Sequence, residues 1–205
     1  MVTYKGLPGP VITDHLSREA SRALYAPGTE FQIGRIEMVA NTGTYVDAPS
    51  HRWADGADLS ALPLDRLAGC PGVCIAAPHA HGLAVDKDFL EGVEVRGRAV
   101  LVHTGWAEFW GSERYQQRSS HLTSSAASFL VSRGAAIVGI DSHNIDDTDD
   151  RTRPVHSILL RAGIPIVEHL CGLEALPRSG FRFYAVPVKV AGMGTFPVRA
   201  FAEVG

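Results

Sequence analysis

Four short apolar runs constrain this chain more than any other feature. They are Gly72 to Ala77, Arg98 to His103, Ala135 to Ile140 and Ile164 to Val167. Runs so short and so apolar read most simply as buried strands. The last two discharge onto carboxylates, Asp141 and Glu168. A charge at the end of a buried strand needs a partner, because stranding it in an apolar interior is costly. A fold built on these runs therefore gathers polar groups at its strand ends.

The intervening segments supply helices and turns. Thr123 to Arg133 reads as the clearest helix: Thr123 is its N-cap, Ala126, Ala127, Leu130 and Val131 share a face, and Gly134 closes it. Pro154 to Ala162 reads as a second helix ending at Gly163. Asp86 to Gly92 has the composition of a short helix, Leu62 to Leu67 fits a helical turn, and residues 104 to 115 form an aromatic-rich loop or irregular helix. Near the start, residues 11 to 18 read as a strand, with Ser17 or Thr13 capping a short helix through Ser21. Ala26 to Thr29 is a turn, and Phe31 to Ala40 is a strand leading into Asn41. Strand-like runs with turns at Gly192 and Gly194 fill Phe181 to Val204. Strands outnumber helices, βα units occupy the second half, and no repeat or linker interrupts the chain. The expectation is one α/β domain over residues 1–205, long enough for a full core.

Charge and composition exclude several roles. A formal net charge of -3 gives no basic footprint for nucleic acid. No apolar run approaches the ~20 residues of a membrane span. Met1 to Pro10 lacks the basic and apolar regions of a secretory signal. Cys70 and Cys74, with Cys171 far away, do not have metal-ligand spacing, and they are expected as free thiols in a reducing cytoplasm.

Three segments bring titratable groups to strand ends. Asn41 to His51, Asn-Thr-Gly-Thr-Tyr-Val-Asp-Ala-Pro-Ser-His, sets Asp47 four residues before His51. Asp141 to Asp147 is a polar outlet from an apolar strand, and it includes His143. The third pairs His156 on a helix with Glu168 on the next strand. Two carboxylates and two or three imidazoles suit zinc or manganese, which would activate water and polarise a carbonyl. Each group also has an ordinary reading. Asp47 shapes a turn before Pro49, His156 is a half-buried surface histidine, and Asp146 to Asp150 is a solvated loop.

Together these residues resemble the cyclase family of metal-dependent hydrolases, which includes arylformamidases and isatin hydrolases. The likeness is carried by Tyr25 to Gly28, Asn41 to His51, Thr104 to Trp106, Gly139 to Asp141, His156 to Ile164 with Glu168, and Pro197 to Ala200. The family motif is H-x-G-T-H-x-D-x-P-x-H, with a later His and Glu twelve residues apart. Asp47, His51, His156 and Glu168 match it, while Asn41 and Tyr45 replace two histidines. The resemblance implies a swivelling β/β/α domain, a central mixed sheet or barrel with outer helices, and a homodimer or homotetramer. It also implies hydrolysis of a C–N bond in a small amide, formamide or lactam.

The two replacements leave three chemistries open. Asn41 and Tyr45 are poorer zinc ligands than imidazole. One metal held by Asp47, His51, His156 and Glu168, with or without His143, is one outcome. A second is a cofactor-free cyclase, dehydratase or isomerase of a small carbonyl compound. In it His51 and Glu168 move protons, and Tyr45 donates to an oxyanion. The third is a degenerate member that only binds its ligand. Tyr25, Trp53 and Trp106 are candidates to hold an aromatic substrate, as are Phe31 and Trp110. Arg52 is a candidate for a substrate carboxylate and Asn41 for a polar contact.

Overall fold

The computed structural model describes residues 5–205. Of the N-terminal stretch Met1 to Pro10, the first four positions lie outside the described residues. The chain opens with a hairpin of Val11–Leu16 (β1) and Ile33–Glu37 (β2), antiparallel and with nearly every residue exposed. Ser17 caps the short helix Arg18–Arg22 (α1) by accepting from Ala20 N at 3.1 Å. The strand expected over Phe31 to Ala40 is shorter, and it pairs with β1 rather than running straight into the motif segment. That segment forms its own strand, Tyr45–Asp47 (β3), followed by a 3-10 turn at Pro49–His51.

The apolar runs form the middle of an eight-stranded mixed sheet. Cys70–Ala76 (β4), Ala99–His103 (β6), Ile137–Ile140 (β8) and Ile166–Glu168 (β9) lie parallel, side by side in that order. Antiparallel strands flank them. Ser179–Tyr184 (β10) and Phe201–Val204 (β12) lie beyond β4, and β3 and Thr195–Pro197 (β11) lie beyond β9. A small parallel ladder joins Ala84–Val85 (β5) to His121–Leu122 (β7).

Both faces of the parallel strands are buried, which is why these runs are apolar without alternation. Val100, Val102, Val138, Ile140 and Ile166 face the helices Ser124–Arg133 (α3) and Pro154–Arg161 (α4). Leu101, Ile137 and Val167 face the other way, onto Leu59, Leu67, Leu170 and Phe181. Each such side chain taken from water is worth about 1.5–3 kcal/mol. Thr123 caps α3 at 3.1 Å from Ala126 N, and Gly134 ends it at φ 74°, as the sequence indicates. Asp86 to Gly92 makes only a single 3-10 turn, Lys87–Phe89. The short helix Leu64–Leu67 (α2) precedes β4. The fold is the expected α/β type, a large curled mixed sheet with few helices.

Candidate metal-binding active site

The site lies where β3, β9 and the start of α4 meet. Strand alternation turns Tyr45 and Asp47 to one face, and register puts Tyr45 opposite Glu168 on β9. The helix that carries His156 has no side-chain cap of its own, since its N-cap residue, Arg153, sits at φ 52°. Asp146 takes over that duty from a separate loop. Its carboxylate accepts from Val155 N at 2.6 Å, His156 N at 3.1 Å and His156 Nδ1 at 2.6 Å. A negative charge there also complements the helix dipole. The aspartate run expected as a solvated loop is thus divided. Asp149 and Asp150 are exposed, but Asp146 is fully buried.

With Nδ1 tied to Asp146, His156 turns Nε2 toward the other carboxylates. It lies 3.6 Å from Asp47 Oδ2 and 3.7 Å from Glu168 Oε1. Asp47 is fully buried. Its Oδ1 accepts from the Thr195 hydroxyl at 2.5 Å, while Oδ2 has no hydrogen-bond donor. The same hydroxyl lies 2.7 Å from His51 Nδ1. Ligand atoms of Asp47, His51 and His156 all fall within 4.8 Å of one another. His156 is buried, not half-buried, and the three carboxylates around it explain why it holds a charge there. Burial alone would push the imidazolium down. The hydrogen bond to Asp146 and the nearby charges of Asp47 and Glu168 instead hold its pKa at about 10.

Glu168 is met from two sides. Its Oε1 accepts from Ile145 N at 2.7 Å, and its Oε2 accepts from the Tyr45 hydroxyl. Burial raises its pKa, against the lowering charge of His156, and the nearby Asp47 raises it further. Burial, then the charges of Glu168 and Asp47, push the Tyr45 phenol well above its ordinary value. Tyr45 therefore stays protonated. The Asn41 side chain acts on that phenol in the opposite sense, lowering its pKa by the smallest of these effects. Tyr45 and Glu168 thus form a buried hydrogen-bonded pair.

The other expected site residues lie further out. His143 rests against Tyr115 and His169, with ring centroids 5.8 and 5.6 Å away, and it is not one of the three clustered ligands. Arg52 donates to Ser157 Oγ at 3.1 Å and stacks over Trp53 at 4.4 Å. Trp53 in turn donates to Ser157 O at 3.2 Å, so both residues fasten the loop after His51 to α4. Trp106 is a core residue, 3% exposed and bonded to Tyr115 O. Tyr25 packs edge-on against Phe31 near the exposed hairpin.

Sequence reasoning missed Asp146, Thr195 and His169. Only Asp146 left a signal, as the first carboxylate of a run close after an apolar strand. Thr195 sits 148 positions from Asp47 in the chain. His169 takes a left-handed backbone, φ 58°, directly after Glu168, and Tyr115 Oη lies 2.8 Å from its Nδ1. Burial, then the charge of His143, lowers its pKa to about 3 despite Asp47, so its ring is neutral.

The arrangement fits a divalent cation. Asp47 Oδ2 is an orphaned buried oxygen, and two imidazoles converge near it. Each of these has its Nδ1 against an oxygen, on Thr195 and Asp146. Fixing the remote nitrogen is how metal-ligating histidines are oriented. Three protein ligands of this kind are the number that catalytic zinc sites use.

Residues 9–147 match the model of the Cyclase family. The chain is similar to the kynurenine formamidase of Paracidovorax citrulli, 28% identical over 187 residues, covering 87% of this chain and 82% of that protein. Among solved structures it is similar to isatin hydrolase A from Labrenzia aggregata. There the TM-score is 0.79 at 23% identity, over 95% of this chain and 83% of the other. A potential metal-dependent hydrolase with cyclase activity superposes with a TM-score of 0.72 at 26% identity, over 94% and 96% of the two chains.

Proposed function

The chain belongs to the Cyclase family, and from that premise we propose that it hydrolyses the C–N bond of a small amide, formamide or lactam. One divalent metal, zinc or manganese, would be held by Asp47, His51 and His156, with Glu168 beside it. The observation that carries this reading is the convergence of three ligand atoms within 4.8 Å around an unpartnered buried Asp47 Oδ2. The kynurenine formamidase relative supports the amide chemistry.

When bound, such an ion supplies Lewis acidity and makes water nucleophilic near neutral pH. The chain's own residues supply the rest. Glu168, with its pKa raised by burial, is suited to take a proton from water and return it to the leaving nitrogen. Tyr45, kept as a phenol, is a hydrogen-bond donor to that carboxylate. Burial of Asp47, His156 and Glu168 keeps bulk water from screening them. The substrate is small and carbonyl-containing, and the likeness to a kynurenine formamidase and an isatin hydrolase supports an aromatic one. Asn41 and Arg52 are offered as polar contacts to it, and Tyr25 and Trp53 as the aromatic surroundings of its entry, while the buried Trp106 serves the core. His143 is kept as an outer proton-carrying or ligand group.

A second reading rests on the Tyr45–Glu168 pair, which can move protons on a carbonyl compound without a metal. That gives a cyclase, dehydratase or isomerase, or a member that only binds. Metal analysis of protein purified without added zinc or chelator separates them. One ion per chain and turnover of an aryl formamide that Asp47→Ala abolishes support the hydrolase. Absence of metal even after incubation with zinc and manganese rules it out and favours the second reading.

We also infer a homo-oligomer, dimer or tetramer, because the β1–β2 hairpin exposes Val11, Ile12, Ile33 and Ile36. Three free cysteines suit a reducing cytoplasm. Among the described residues no helix is long and apolar enough to cross a membrane.

A further inference from the structure

His51 is the least confined member of the site. Its side chain is 34% exposed, so solvent leaves its ring free to turn unless something holds it. The Asp47 carboxylate four residues earlier does not hold it directly, since Nδ1 to Oδ1 is 3.7 Å. The hydroxyl of Thr195 stands between them, 2.5 Å from Asp47 Oδ1 and 2.7 Å from His51 Nδ1.

A hydroxyl has one proton to give, and an ionised carboxylate can only accept. Thr195 therefore donates to Asp47 and must accept from His51. That requires the proton of the neutral imidazole to sit on Nδ1, leaving the lone pair on Nε2. The location of the hydroxyl is itself enforced by backbone. In the β11–β3 ladder Thr195 is the register partner of Asp47. Just before it, Gly194 O accepts from Ala48 N at 2.7 Å, and Met193 O accepts from Leu59 N at 3.0 Å. Gly194 approaches the His51 main chain so closely that an added Cβ would stand 2.5 Å from its nitrogen.

We propose that Thr195 is the positioning residue of the site: its hydroxyl relays the Asp47 carboxylate to His51 and fixes that imidazole with Nε2 presented to the reacting centre. The edge strand β11 thereby completes a site whose Asp47 lies 148 positions earlier in the chain. The inference rests on the reading of His51 as part of the metal-binding set, but its central claim concerns the imidazole itself.

The test compares wild type with Thr195→Val, Thr195→Ala and Thr195→Ser. Long-range proton–nitrogen NMR at about pH 8, where an ordinary imidazole is neutral, reads the His51 tautomer. Calorimetry with zinc reads affinity. Wild type and the serine variant are expected in the Nδ1–H form. The valine and alanine variants are expected to lose that preference and bind zinc about 10–100-fold more weakly. Thermal melts identify a variant that fails to fold. If valine does so, the alanine–serine pair decides. A Thr195→Ala protein with the wild-type tautomer and zinc affinity overturns the proposal, as does a serine variant as impaired as alanine. If wild type binds no zinc yet only the hydroxyl-bearing forms keep the Nδ1–H tautomer, the positioning role stands and the metal reading falls.

Discussion

Asp146 shows how much one buried carboxylate does here. It accepts three hydrogen bonds, two from the helix α4 backbone and one from His156. Its charge helps keep His156 protonated to about pH 10 when no metal competes. An imidazole whose folded pKa lies above its ordinary 6.5 contributes stability that is complete below pH 6.5 and disappears as pH rises through 10. The metal-free chain should therefore melt at progressively lower temperature between those limits. Asp146→Asn should flatten that decline and cost about 1–3 kcal/mol at neutral pH, the penalty for weakening a buried hydrogen-bonded group. Melting curves of the chelator-treated proteins across this range provide the check. A wild-type melting temperature that does not change from pH 6.5 to 10 would contradict it.

Between elements, the edge strand β11 is the least conspicuous in sequence and the most consequential for the site. It is three residues long and pairs with β3 only, on one side. Its approach depends on Gly194, beside which no side chain fits without moving His51. Gly194→Ala is expected to destabilise the fold by about 1–3 kcal/mol, as overpacking does. It should also weaken zinc binding, because β11 carries Thr195. Denaturant unfolding and zinc calorimetry read the two effects. Loss of stability with unchanged zinc affinity would show that β11 can shift without disturbing His51. The other elements follow from local rules. Thr123 and Gly134 bound α3 where capping chemistry puts them, and the parallel strands coincide with the apolar runs. The hairpin was less legible. Phe31 to Ala40 alternates imperfectly, so its pairing with β1 and its separation from the main sheet could not be read from it.

On the scale of the molecule, the hairpin stands largely clear of the main sheet, and a two-stranded ribbon is marginal without cover. Ile12 and Ile36 are register partners, 76% and 53% exposed. A second copy of the chain is the proposed cover. Light scattering should give a mass at least twice 22.0 kDa, and Ile12→Asp with Ile36→Asp should reduce it to the monomer while the chain stays folded. A wild-type monomer would remove the oligomer from the account.

Sequence alone determined the parallel strands of the sheet and the helices α3 and α4, because burial on both faces and end-capping leave local, readable patterns. It also determined that Asp47, His51, His156 and Glu168 belong together, through motif spacing and family resemblance. Tertiary structure alone decided how they are wired. Asp146 became the anchor of His156 because a helix start without its own cap came to lie beside it. Thr195 reached Asp47 and His51 only because β11 closes the sheet next to β3. Tyr45 met Glu168 through strand register. Such contacts join residues up to 148 positions apart, and their energies come from burial and hydrogen-bond geometry, which no local window of sequence contains.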